Sequence, residues 1–156
     1  MTSGPRDGKT SVADTSADAW VAAPTPAATP DDLASVRATV LDYFEGWFDG
    51  DTERMRRALH PGLAKRSLAQ DAARTEAVAS LTAEQMVAWT AAGHGRTRGG
   101  PGRDVEIDVV DVSAMIASVV ARSESYVEYI HLVATPDGWR IVNTLWRYAD
   151  GHGPAR

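Results

Sequence analysis

The sequence predicts an α+β fold in which three helices pack on a strongly curved antiparallel sheet and form a cone. Three helix-like segments lie between residue 31 and about residue 92, and four strand-like segments follow them. Long runs in which apolar and polar residues alternate are typical of an antiparallel meander with one buried face. Helices that precede such a meander cover one face of it, and the curled sheet can enclose a cavity. The sequence therefore predicts a function performed on, or with, a small molecule held in that cavity.

The first two helices are predicted from their boundaries and from an apolar stripe. Pro30-Asp31-Asp32 suits a helix start, and Gly50 suits a helix end. Asp51 can cap a short second helix, which His60-Pro61-Gly62 stops. That second helix carries Met55, Ala58 and Leu59. The stripe on the first helix repeats at spacings of 3 or 4 and consists of Leu33, Val36, Val40, Phe44 and Trp47.

A third helix and the meander follow from capping and turn residues. The capping-box pattern Thr82-x-x-Gln85 predicts a helix that ends near Ala92, with Gly93 as its stop. Pro136-Asp137-Gly138 is typical of a hairpin turn and separates the last two strands. The four predicted strands are residues 105–112, 114–121, 124–135 and 138–148.

The remaining segments are predicted to be a short strand, a loop and two tails. Lys65 to Gln70 can form the strand, whereas residues 71–80 favour a helix by composition but have a poor apolar stripe. Residues 93–104 contain five glycines, one proline and three arginines, which predicts a mobile loop. The alternative for the N-terminal tail is that Trp20 docks on the fold. The predicted division is a disordered tail at 1–30, one domain at 31–150 and a flexible C-terminus at 151–156.

Composition excludes several classes of function. The net charge of −5 argues against nucleic acid or an acidic membrane surface as the main partner. The absence of cysteine excludes disulfides, thiolate zinc sites and a cysteine nucleophile. The sequence shows no signal-peptide pattern and no apolar run of about 20 residues, so the expected location is the cytoplasm. Histidines and acids show no HExxH or His-x-His spacing, so neither a dedicated metal site nor a cofactor is expected.

Several strings, in their order and spacing, resemble the nuclear-transport-factor-2-like (NTF2-like) superfamily, also called cystatin-like or SnoaL-like. The strings are Tyr43 to Asp51, His60-Pro61 with Lys65-Arg66, Ala117-Ser118-Val119, Tyr129 to Leu132, and Gly138 to Trp146. Within the superfamily, the sequence is most similar to the family named "Putative lumazine-binding", over about residues 31–148. The resemblance implies a cone that often pairs as a homodimer through its sheet. Relatives include dehydratases, isomerases, cyclases, epoxide hydrolases and non-catalytic members.

Three residues are candidates for acid–base catalysis, each with a plainer alternative. His60 lies at a helix end and His131 on the third meander strand, and the pKa of a histidine lies near neutrality. The alternative for His60 is a hydrogen bond to a backbone carbonyl, and the face that carries His131 can point inward or outward. Asp108 on the first strand is a candidate base because the isomerase relatives suggest one, but it shares its face with Glu106, which favours a solvated face.

Five aromatic residues are candidates for ligand contact: Tyr43, Trp47, Trp89, Tyr129 and Trp146. Aromatic side chains stack on flat heterocycles or polyketide rings, although at helical spacing they also serve simply as core. We expect Tyr43, Trp89, His60 and one of Tyr129 or His131 to share one pocket. The string Gly93 to Gly99 lacks the Gly-Lys-Ser/Thr of a phosphate loop, which leaves a lid or an inert loop.

Two hypotheses about function follow. The first is a small-molecule-binding cone that works as a cofactor-independent lyase, isomerase or cyclase on a small hydrophobic or aromatic molecule, with a His or Asp as general acid or base. The second is a non-catalytic, dimeric accessory module that binds another protein. Polar groups converging in a cavity of ~300 Å³ or more would favour the first. A filled cone with a large apolar patch on the outer sheet would favour the second.

Overall fold

The computed structural model describes residues 27–68, 78–98 and 103–150. Within these ranges the chain forms three α-helices, α1 (Pro30–Asp49), α2 (Thr52–Ala58) and α3 (Ala83–Ala91), and a 3-10 turn at Arg96–Arg98. The same ranges hold six strands: β1 (Leu59–Leu68), β2 (Val78–Leu81), β3 (Glu106–Ser113), β4 (Ile116–Arg122), β5 (Tyr126–Thr135) and β6 (Gly138–Tyr148). The tail up to residue 26 with Trp20, residues 69–77, residues 99–102 and the predicted C-terminal segment 151–156 lie outside the described residues.

The predicted boundaries of α1 are confirmed. Pro30 occupies the first turn, and the side chain of Thr29 and that of Asp32 cap each other's backbone N–H groups. The helix ends at Gly50, whose φ of 70° is the left-handed conformation that glycine adopts without strain. α1 buries one stripe of residues against the sheet: Val36, Val40, Tyr43, Phe44 and Phe48.

The second helix is shorter than predicted. Asp51 caps α2 as expected, because its carboxylate accepts from the backbone N–H groups of Glu53 and Arg54. The helix ends at Ala58, however, and the chain enters β1 directly at Leu59. His60-Pro61-Gly62 therefore lies at the start of a strand, which begins before the predicted Lys65. α3 begins with the predicted Thr82–Gln85 capping box, and Gly93 follows it with a φ of 77°.

The sheet is mixed, with the strand order β2-β1-β6-β5-β4-β3. Strands β3 to β6 form the predicted antiparallel meander. β1 adds to its edge in parallel with β6, where Lys65 lies opposite Thr144, and β2 pairs antiparallel with β1. The expectation of a purely antiparallel sheet is therefore wrong for this edge. A parallel pair needs a long connection, and here every element from β2 to β5 lies between β1 and β6 in the chain.

Alternate residues of the meander face the helices and form the core. On β4 and β5 the buried set consists of Ala117, Val119, Ala121, Tyr126, Glu128, Ile130 and Leu132. Trp139 and Ile141 of β6 are buried in the same core. Register shifts between Val109 and Asp111 and between His131 and Leu132 are bulges, and bulges bend the strands that carry them. The helices thus cover the concave face of a curved sheet.

Candidate functional site

A cavity of about 130 Å³ lies between α1, α3 and the concave face of the sheet. Its walls are mostly aromatic and apolar, and they include the charged residues Lys65 and Glu128. The lining residues are Tyr43, Trp47, Lys65, Leu81, Met86, Trp89, His94, Tyr126, Glu128, Trp146 and Tyr148. An apolar cavity with a few convergent polar groups is the usual form of a small-molecule site.

Three of the lining residues form one buried polar cluster, which we call the KEY cluster: Lys65, Glu128 and Tyr43. The ammonium Nζ of Lys65 lies 2.9 Å from Oε2 of Glu128 and 2.7 Å from the hydroxyl oxygen of Tyr43. The Tyr43 hydroxyl lies 3.1 Å from both carboxylate oxygens. Lys65 therefore donates to both partners while Tyr43 donates to Glu128. The ammonium also lies over the ring of Trp146, 4.9 Å from its centroid.

Burial shifts the pKa of two members of the KEY cluster. Removal from water lowers the pKa of Lys65, and the negative charge of Glu128 opposes that shift. Removal from water, followed by the charge of Glu128, raises the pKa of Tyr43 well above its ordinary 10.0. Tyr43 consequently remains a protonated donor, whereas the amine of Lys65 loses its proton more readily than an exposed lysine does.

Three different elements position the KEY cluster. Lys65 lies on the buried face of β1, two residues after buried Leu63. Glu128 lies on the buried face of β5, opposite Trp146 of β6. Tyr43 belongs to the buried stripe of α1 and lies one helical turn before Trp47. The site therefore needs the parallel β1–β6 pair as well as the meander.

Two exposed lining residues, Trp89 of α3 and His94 just after it, lie where the cavity opens to solvent. Trp89 is 43% exposed, and its ring lies 5.6 Å from that of His94. The indole N–H of Trp47 donates to the Tyr126 hydroxyl at 3.2 Å. Gly95 lies so close to α1 that a Cβ there would be 2.2 Å from the carbonyl oxygen of Trp47. Only glycine fits that position, so the turn that carries His94 is held against the helix.

Four of the five predicted ligand-contact residues line this cavity: Tyr43, Trp47, Trp89 and Trp146. Their contact with a ligand stays a prediction. Tyr129, the fifth, is 54% exposed on the opposite face of β5.

The three predicted catalytic residues lie away from the cavity lining. His60 is half-buried, and its Nδ1 accepts from the backbone N–H of Gly62 at 2.9 Å, rather than binding a carbonyl. His131 is exposed on the outer face of β5, and Asp108 is exposed on β3. The expected sharing of one pocket by His60 and either Tyr129 or His131 is therefore wrong. Tyr129 and His131 face outward because β5 buries its other face, which carries Glu128, and Lys65 balances the charge of Glu128.

Sequence reasoning missed Lys65, Glu128 and His94 as site residues. Two signals were present. Lysine is rare in this chain: of the 16 basic residues, 14 are arginines, and the two lysines are Lys9 and Lys65. Glu128 interrupts an otherwise apolar face formed by Tyr126, Ile130 and Leu132. An acid on such a face indicates either a surface strand or a buried partner.

The described residues offer neither a cluster of metal ligands nor a membrane-spanning helix. No group of three or more His, Cys, Asp or Glu side chains in these ranges could hold a metal ion. None of the described helices is long and apolar enough to cross a membrane.

The family model described as "Putative lumazine-binding" matches residues 31–147, and the chain therefore belongs to that family. None of the curated proteins matches the sequence.

Solved structures with the same fold share little sequence with the chain. An NTF2-like protein of unknown function from Silicibacter pomeroyi is 14% identical, with a TM-score of 0.61 over 78% of this chain and 99% of that one. One from Methylobacillus flagellatus is 16% identical, with a TM-score of 0.61 over 81% and 99%. A cystatin-like fold protein from Burkholderia xenovorans is 20% identical, with a TM-score of 0.53 over 80% and 97%. The fold is thus that of the NTF2-like, or cystatin-like, proteins.

Proposed function

We propose that the protein binds a small planar aromatic or hydrophobic molecule in the cavity, with the KEY cluster holding its polar end. The observation that carries this proposal is a buried, charged cluster that opens into an aromatic-walled cavity. Burying an ion pair costs several kcal/mol of desolvation per ion. Ionisable groups with shifted pKa values in a cleft are candidates for a functional site.

The cavity size limits how much of the ligand is enclosed. Its volume of about 130 Å³ is smaller than the ~300 Å³ expected for a whole drug-sized ligand. It is close to the ~150 Å³ apolar cavity that accommodates benzene. The proposed ligand therefore places one ring inside, and the rest of the molecule lies in the mouth beside Trp89 and His94. The lumazine of the family name is a two-ring heterocycle that suits this division.

The KEY cluster also supplies the parts of an acid–base reaction. The cation of Lys65 and the hydroxyl of Tyr43 can stabilise negative charge that develops on a substrate oxygen. The carboxylate of Glu128 can accept a proton from a neighbouring carbon or oxygen. These roles support a cofactor-independent lyase, isomerase or cyclase, in which this cluster replaces the histidine or aspartate expected from sequence.

A fluorescence titration with lumazine tests the binding proposal. Trp47, Trp89 and Trp146 line the cavity, so we expect saturable quenching of tryptophan emission. Trp89→Ala should weaken binding about tenfold, because stacking on an aromatic ring contributes ~1–3 kcal/mol per base. Tyr129→Ala, on the outer face of the sheet, is the matched control and should bind normally. Linear, non-saturable quenching, or equal losses in both variants, would contradict the proposal.

A second candidate, the dimeric accessory module, is favoured by the outer face of the sheet. Tyr129 lies between Val120 and Leu145 on neighbouring strands, and Tyr129 and Leu145 are 54% and 55% exposed. An exposed apolar patch of this kind is typical of an interaction surface. We propose that a homodimer covers it. Sedimentation at micromolar concentration should give twice the 16.7 kDa chain mass, and Tyr129→Glu should give the monomer. A wild-type monomer would exclude the dimer and leave the cavity proposal intact.

A further inference from the structure

We propose that Lys65 is a nucleophile that forms an imine with an aldehyde or ketone bound in the cavity. This inference rests on the proposed function, since it uses the same cavity, and it adds a substrate class and a covalent step. Four observations carry it: the choice of lysine at this position, the contacts of its amine, the dryness of its surroundings and the size of the cavity beside it.

The choice of residue is the first observation. Lys65 is the one lysine within the described ranges. Of the 16 basic residues of the chain, 14 are arginines, and the other lysine is Lys9. A partner for the Glu128 carboxylate needs only a positive charge, and a guanidinium is the better partner because it binds a carboxylate through two parallel hydrogen bonds. An amine differs from a guanidinium in that it can lose its proton and attack carbon. Lysine therefore replaces arginine at a position where an amine, unlike a guanidinium, can act as a nucleophile.

The contacts of the amine are the second observation. Nζ lies 2.7 Å from the Tyr43 hydroxyl oxygen and 2.9 Å from Oε2 of Glu128, so these two bonds use two of the three ammonium hydrogens. Glu128 can exchange a proton with the amine, and the Tyr43 hydroxyl can donate to a substrate oxygen beside it. Lys65 also lines the cavity, and the proposed attack takes place from that side.

The low solvent exposure of the site favours the neutral amine and protects an imine from hydrolysis. The Lys65 and Glu128 side chains are 5% and 4% exposed. Desolvation lowers the pKa of Lys65, and the opposing charge is that of Glu128. The other titratable groups that line the cavity are Tyr43 on α1, His94 after α3, Tyr126 on β5 and Tyr148 on β6. Among the described groups around the amine, Glu128 is thus the acidic partner in direct contact.

The covalent step balances with these groups alone. One ammonium proton passes from Nζ to the Glu128 carboxylate, and the amine lone pair attacks the carbonyl carbon. The carbonyl π electrons move to oxygen, which takes the proton from Glu128, while the new C–N nitrogen returns a proton to Glu128. The carbon–oxygen bond then breaks, and the hydroxyl leaves as water with that proton. A protonated imine remains beside the Glu128 carboxylate, so the net charge of the pair is unchanged.

The cavity defines which carbonyl compounds fit. A volume of about 130 Å³ suits one aromatic ring or a branched chain of similar size. Trp146 and Trp47 line the cavity as aromatic contacts for that ring, and the Tyr43 hydroxyl can donate to the carbonyl oxygen during attack. The substrate class is therefore an aromatic aldehyde or a small aryl ketone. The protonated imine of an aryl alkyl ketone acidifies the C–H bonds of the adjacent alkyl carbon, which accords with a lyase, isomerase or cyclase. An aromatic aldehyde has no such C–H bond and forms the imine only.

Reductive trapping tests the inference on the full chain. The protein is incubated with benzaldehyde and cyanoborohydride, which reduces an imine to a stable benzylamine, and the modified residue is located by peptide mass spectrometry. We expect one benzyl group on Lys65, added at least about tenfold faster than on Lys9, because the site preorganises the amine and its proton acceptor. Labelling of Lys65 should be half-maximal at a pH below the ordinary lysine pKa. Lys65→Arg keeps the cation and should lose that adduct.

The controls separate this inference from the binding proposal. Lys9 and the N-terminal amine are internal standards in every sample, and the chain unfolded in guanidinium gives the intrinsic reactivity of Lys65. Labelling of Lys65 that is no faster in the folded chain than in the unfolded one would overturn the imine. If lumazine still binds saturably in that case, the cavity functions as a binding site and only the covalent step is excluded.

Discussion

Two clusters of ion-paired side chains among the described residues differ chiefly in their access to water. In the KEY cluster the Lys65 and Glu128 side chains are 5% and 4% exposed. In the second cluster, which joins α1 to α2, Arg54 pairs with Asp42 at 3.0 Å and also with Glu45. The side chains of Arg54, Asp42 and Glu45 are 27%, 29% and 46% exposed. Arg57 adds a further bond to Asp42 at 3.3 Å.

The difference shows which of the two clusters is explained by structure alone. A half-exposed network loses little hydration and helps to join two helices, so stability is a sufficient reason for it. A buried ion pair loses hydration on both partners, and apolar residues of similar volume would often be as stable or more so. The KEY cluster therefore needs another reason, and the proposed binding of a ligand in the cavity beside it offers one.

Removing one partner of the buried pair should have the largest effect. Lys65→Met leaves the Glu128 carboxylate and the Tyr43 hydroxyl without their cation in a dry site. We expect a loss of ~3–5 kcal/mol in the free energy of unfolding, which is the usual result of breaking a buried pair. Urea denaturation followed by tryptophan fluorescence measures it.

Replacing the whole KEY cluster is the control for that variant. The triple variant Lys65→Met, Glu128→Leu, Tyr43→Phe leaves no buried charge, so its stability should return to within ~1 kcal/mol of the wild type. Its lumazine affinity should nevertheless be lost. A triple variant as unstable as Lys65→Met would mean that the cluster holds the fold together, and the contrast between the two clusters would fail.

The equivalent change in the exposed cluster should have the smallest effect. Arg54→Met should lower the free energy of unfolding by less than ~1 kcal/mol, because exposed ion pairs contribute little. The loss should shrink further in 1 M salt, where the screening length is about 3 Å. Lumazine titration of this variant should match the wild type. A loss as large as that of Lys65→Met would show that exposure does not distinguish the two clusters.

The sequence predicts most of the fold because its elements have local signals. The Thr82–Gln85 capping box, the helix end at Gly50 and the turn at Pro136-Asp137-Gly138 each act within a few residues, and the structure contains all three. The pairing of β1 with β6 has no local signal, since alternation along a strand does not identify its neighbour. That pairing brings Lys65 under the cavity, so the prediction of the site was incomplete for the same reason.

The prediction of the site was best where it depended on a helix. Tyr43 and Trp47 belong to the helical pattern of α1 and Trp89 lies on α3, so their approach to the concave face follows from the packing of the helices. The histidines were chosen for their ordinary pKa, which carries no information on position. The inward face of β5 depends on Glu128, whose burial requires an ion pair with a residue 63 positions away. Such a partner is visible only once the chain is folded.

The place of β6 in the sheet has a consequence for how the protein is made. β6 lies between β1 and β5, so the strand synthesised last among the six joins the earliest strand to the meander. Until β6 has been synthesised, β1 and β2 cannot pair with the meander, and Lys65 cannot be buried in its site. Pairings of high contact order fold slowly because a long loop must close first. We therefore expect chaperones to bind a nascent chain in which the amphipathic helices have formed but β1 and β2 have not yet paired with the meander.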